Sequence, residues 1–133
     1  MNSKAVLCQS EFRRILAAAR AEAQNNQWPV TIVVVDDGGH PLALERLDGA
    51  APSSAYIATE KARTAALGRR ESKGYEDMIN GGRYAFLSAP LLTSLEGGVP
   101  VVFDGQVIGA VGVSGVKAEQ DAQVAKAGAQ CLN

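Results

Sequence analysis

The chain has 133 residues, with 13 Lys+Arg against 14 Asp+Glu and a formal net charge of −1. One domain of this size buries roughly two-thirds of its unfolded surface and needs no metal or disulfide to hold it together. The even charge balance argues against a nucleic-acid footprint, which carries a basic excess, and no window approaches ~18 uninterrupted apolar residues, so no membrane span is expected.

The opening residues, MNSKAVLCQSEFRR, lack the basic-then-apolar order of a secretory signal, which points to a cytoplasmic location. Cys8 and Cys131 have no CxxC spacing and are read as reduced thiols. With one histidine in the chain, a zinc set is not expected.

A first helix is predicted from Glu11 to about Asn25, where Phe12, Ile15, Leu16, Ala19 and Ala23 recur at helical spacing and Ser10 offers an N-cap. Pro29 precedes Val30 to Val35, a β-branched run suited to a strand covered on both faces. Asp36-Asp37-Gly38-Gly39 is turn chemistry. Leu42 to Leu47 returns as a second strand, with Leu42, Leu44 and Arg46 sharing a face, and Asp48-Gly49 closes it. Ser53 or Ser54 opens a helix to about Arg70. Its stripe of Ala55, Ala58, Ala62 and Ala65 lets it lie close to whatever it packs on.

Glycines at 74, 81 and 82 and Pro90 then break the chain into short pieces, with one helical turn near Arg83 to Leu87 and a short strand over Leu91 to Leu95. Two apolar runs flank Asp104-Gly105, the strongest short hairpin signal in the chain. The second run, Val107 to Ser114, carries Gly109 and Gly112, which are costly inside a strand unless a helix, a ligand or another backbone comes close. A last helix spans about Lys117 to Cys131, with Ala118, Ala122, Ala125 and Ala129 inward. Two antiparallel hairpins interleaved with helices predict one α+β domain over 1–133, an antiparallel sheet of about five strands flanked by helices.

Four blocks resemble the GlcG/HbpS family, the haem-degrading-domain proteins, whose relatives include the C-terminal domains of PduO-type proteins. They are VVVDDGGHPLALERLDGA at 33–50, the Ser54–Lys61–Thr64 helix, EGGVPVVFDGQVIGAVGVSG at 96–115 and EQDAQVAKAG at 119–128. The resemblance implies a profilin-like α+β fold and a homo-oligomer. In some members it also implies binding of haem, with haem breakdown, or of a corrinoid-related ligand.

Candidate site residues follow from chemistry. His40, the sole histidine, lies beside a hairpin tip and can ligate haem iron or act as a base near neutral pH. Arg46, in the pattern Arg46-Leu47-Asp48-Gly49, is read as inward and therefore either paired with Asp48, Glu119 or Asp121, or clamping a carboxylate. Ser54, Lys61 and Thr64 form a polar strip on an otherwise close-packing helix. Glu119 and Asp121 stand about 200° apart on their helix. Glu119 is read as the partly desolvated acid able to move a proton, and Asp121 as a partner for Lys117. Ser114-Gly115 places N–H groups where an anion could rest. G-x-S-x-G, G-x-G-x-x-G and P-loop signatures are absent.

Three functions remain open on the sequence. One is a haem- or tetrapyrrole-binding oligomer. Another is a non-haem enzyme acting on a small carboxylate, anchored by Arg46 or Lys61 and using Glu119 for proton transfer. The third is a non-catalytic sensor or accessory subunit. An aromatic content of 5% and one histidine are a thin supply for a macrocycle.

Overall fold

A computed structural model describes residues 1–133. Helix α1 (Gln9–Asn25) leads into strands β1 (Thr31–Asp36) and β2 (Pro41–Arg46), then helices α2 (Ser53–Gly68) and α3 (Lys73–Asn80) and a 3₁₀ turn at Tyr84–Ser88. Strands β3 (Gly98–Phe103) and β4 (Gln106–Ser114) and helix α4 (Ala118–Ala129) complete the chain. The sheet is antiparallel with order β2-β1-β4-β3, so it has four strands where the sequence suggests about five. No helix is long and apolar enough to cross a membrane.

The β-branched run behaves as its composition requires. Val33 and Val35 pack against Ala58, Ala62, Ala65 and Ala66 of α2. Ile32 and Val34 face the opposite way, into a core shared with Ile15, Ala19 and Ala23 of α1 and Val124, Ala125 and Ala129 of α4. The sheet therefore carries α2 on one face and the α1–α4 pair on the other. The alanine stripe permits close contact at Gly112, where any Cβ would collide with the Ala58 carbonyl and the Ala62 amide. The 103–106 connection is a two-residue turn in which Asp104 and Gly105 both have positive φ (52° and 74°), matching the twist of the strands they join.

Three local expectations are corrected. Leu91 to Leu95 is not a strand: the Thr93 amide donates to the Thr64 hydroxyl at 2.7 Å, so this segment is tied to α2 rather than to the sheet. Helix α3 forms despite Gly74, held by buried Tyr75, whose ring stacks on Phe86 at 4.9 Å. The N-cap of α1 is Cys8 rather than Ser10, because Glu11 reaches back to accept from the Cys8 amide at 3.0 Å and from the Ser10 hydroxyl.

Candidate functional site

The polar strip on α2 points inward and is fully engaged. Ser54 donates to the Ala51 carbonyl at 2.5 Å, leaving Thr31 of β1 to donate to its oxygen at 2.7 Å. Thr64 donates to the Glu60 carbonyl at 2.8 Å while accepting from Thr93. Lys61 is buried, and its ammonium donates to the Val113 carbonyl at 3.0 Å and to Asp121 Oδ2 at 3.1 Å.

Space for that lysine comes from Gly97, whose φ is +133° and where a Cβ would lie 2.8 Å from Nζ. The other carboxylate oxygen of Asp121 accepts the Val116 amide at 3.1 Å, fixing the turn between β4 and α4. Burial pushes the Asp121 carboxyl above its ordinary value; the Lys61 charge and the hydrogen bonds from the turn act in the opposite sense.

This geometry revises the sequence reading of the α4 acids. Asp121 is the buried one and pairs with Lys61 rather than Lys117, whereas Glu119 is exposed. The stripe that packs on the core includes Ala122 and Ala125, and Asp121, not Glu119, lies on its flank. Ser114 is buried and pairs across the sheet with Thr31.

Arg46 is exposed, not inward. It sits on the α2 side of the sheet, opposite Thr31, but α2 packs mainly on β4 and β1 and leaves the outer strand uncovered. Neither Asp48 nor an α4 acid forms an ion pair with it. Arg46 and Asp48 line an open cleft of about 630 Å³ with Gln24, Gln27, Trp28 and Glu45, and that cleft contains neither Lys61 nor Glu119. The three residues of the non-haem enzyme reading thus do not come together.

His40 stands at the other end of β2, on the β1–β2 turn, with its side chain 78% exposed. Asp36 organises this turn: its Oδ1 accepts the Gly38 and His40 amides, both at 2.9 Å, and lies 3.1 Å from His40 Nδ1. Asp36 was not singled out from the sequence, although its place four residues before the histidine, across two glycines, was a signal for it.

A model of the family described as haem degrading protein HbpS-like matches residues 7–130. The chain belongs to the HbpS-like family. Among relatives, it is 67% identical to the protein GlcG of Escherichia coli K12 over 114 residues, covering 86% of this chain and 85% of GlcG. A double mutant of Streptomyces reticuli HbpS superposes with a TM-score of 0.89 at 28% identity, over 100% of this chain and 91% of that one. The crystal structure of a PduOC–haem complex superposes with a TM-score of 0.83 at 28% identity, over 94% of each chain. The HbpS-like assignment covers both hairpins and all four helices.

Proposed function

We propose that this protein binds haem or a closely related tetrapyrrole. The observation that carries the reading is the match over 94% of both chains to a relative solved as a haem complex. The donor chemistry here is compatible with it. No group of three or more His, Cys, Asp or Glu side chains is placed to cage a bare metal ion. A haem brings four nitrogen donors of its own and asks the protein for an axial ligand, an apolar surface and cations for its propionates.

Titration of the purified protein with haemin tests the proposal: a saturable, shifted Soret band is expected. A band indistinguishable from free haemin overturns it. Breakdown, which the family description names, would show as decay of that band once a reductant and air are supplied.

A second reading is favoured by Arg46. Arg46 has no carboxylate partner and is among the residues, with Trp28, that line the 630 Å³ cleft. A small carboxylate would find a charged, bidentate partner there. Thermal stabilisation by a panel of small carboxylates, lost in Arg46→Gln, supports this reading, and no stabilisation by any of them removes it.

Self-association is the third part of the proposal. Tyr84, Leu87, Leu91 and Leu95, all from the segment that follows α3, are 67%, 70%, 66% and 42% exposed. Leu87 and Leu95 line one cleft; apolar side chains exposed together on one segment mark an interaction surface, and we assign it to a second copy of this chain. Arg83 and Glu96, which bound the segment in sequence, are opposite charges outside the ion pairs of the chain and so are open to a partner copy.

A further inference from the structure

We infer that the apolar pocket between the N-terminal segment, the β3–β4 hairpin and the C-terminus binds the chain of an aliphatic monocarboxylate, with Arg14 as the partner of its carboxylate. The site is separate from the haem reading. None of its residues lines the Arg46 cleft or belongs to the segment after α3.

The pocket has a volume of about 280 Å³ and draws its walls from four distant parts of the chain. Ala5, Val6 and Leu7 come from the N-terminal segment, Phe103 and Ile108 from the two sides of the hairpin, and Leu132 from the C-terminus. Six of its eight lining residues are apolar, and the two others are Glu11 and Arg14 of α1. A mostly apolar lining with a few polar groups is the usual composition of a small-molecule site. Its size suits a chain or a single ring.

The second glycine of β4 builds the floor. At Gly109 a Cβ would come within 2.6 Å of Leu7 Cδ1. The missing side chain is therefore the seat of Leu7, which is buried together with Ile108. Val6 and Phe103, by contrast, remain 76% and 50% exposed, so the open side of the pocket is apolar as well. A hydrocarbon chain laid against these residues would take that surface out of water.

The charges select the head group. Both oxygens of Glu11 are committed to the start of α1, one accepting the Cys8 amide at 3.0 Å and the other the Ser10 hydroxyl. A negative charge in that first turn is also favoured by the helix dipole. Arg14 has no such commitment: it belongs to none of the ion pairs of the chain. Burial pushes the Cys131 thiol up and the Arg14 charge acts in the opposite sense, in keeping with a guanidinium near the C-terminal wall of the pocket. An uncommitted guanidinium beside an apolar pocket is matched by a carboxylate on an apolar chain.

The test is titration with octanoate followed by amide NMR, with octanol as the uncharged control, on the wild type, Arg14→Gln and Phe103→Ala. Both substitutions fall on exposed side chains, and the amide spectrum itself reports whether each variant is folded. Octanoate is expected to give saturable shifts at Val6, Leu7, Phe103, Ile108 and Leu132. Arg14→Gln should bind it about tenfold more weakly, the size of one charge-assisted hydrogen bond, and should bind octanol as the wild type does. Phe103→Ala should weaken both ligands. Absence of saturable shifts at these amides overturns the inference, as do octanoate shifts confined to another surface. Octanoate binding that is no tighter than that of octanol, or that Arg14→Gln leaves unchanged, overturns the role of Arg14.

Discussion

Lys61 shows how a side chain can look like a site and act as a joint. With side-chain exposure of 5% against 3% for Asp121, the pair is removed from water, and removing one partner leaves the other charge uncompensated. Lys61→Met is expected to lose about 3–5 kcal/mol of unfolding free energy. The loss should depend on pH. Burial already raises the Asp121 carboxyl above its ordinary value, and without the lysine it rises further. An acid raised in the folded state favours folding below its unfolded value, about 3.9, and that benefit disappears as pH climbs through the folded one. Urea unfolding should therefore find the deficit of Lys61→Met smallest near pH 4 and widening toward pH 8. A deficit that does not change with pH would contradict the buried pair. The double variant Lys61→Met/Asp121→Leu should recover much of the loss, because neither charge is then stranded. The polar strip of Ser54, Lys61 and Thr64 was legible in the sequence. Its destination was not, because the partner acid lies 60 residues away and on the other side of the sheet.

Among the elements, β4 and α2 depend on one another most directly. The glycines of β4 announced a close approach, and at Gly112 the approaching group is the backbone of α2. Gly112→Ala should destabilise the protein by about 1–3 kcal/mol through overpacking, seen as a lower urea midpoint. An unchanged midpoint would mean that α2 is free to ride up. Both hairpins and the main helices could be placed from periodicity and turn chemistry, since each signal is local. The segment from 71 to 95 could not. Helix α3 is short and contains Gly74, and it is secured by Tyr75 stacking on Phe86, a contact between two elements that no periodicity encodes. Arg46 was misread for a related reason. Alternation assigns it a face of the sheet, but only the docking of α2 decides whether that face is covered at the outer strand.

For the whole molecule, the consequential surface is the one after α3. Leu91 has φ +61° while its side chain is 66% exposed, an uncommon backbone state for a bulky residue with little contact inside its own chain. Leu91→Gly relieves that strain, so the monomer's unfolding free energy should change by no more than about 1 kcal/mol. Association should nevertheless weaken, and Leu87→Glu should weaken it more. Sedimentation across a concentration series reads both. A wild type that remains monomeric, or variants that associate as well as the wild type, would remove the proposed contact.

One consequence follows from the lysine that passes the glycine notch at residue 97. It fastens a helix from one layer to a helix from the opposite layer, like a bolt through the end of a plank. The two layers should then come apart together rather than in turn. Amide exchange in α2 and in the first turns of α4 should slow and quicken in step, and cutting the bolt should let the two helices breathe at separate rates.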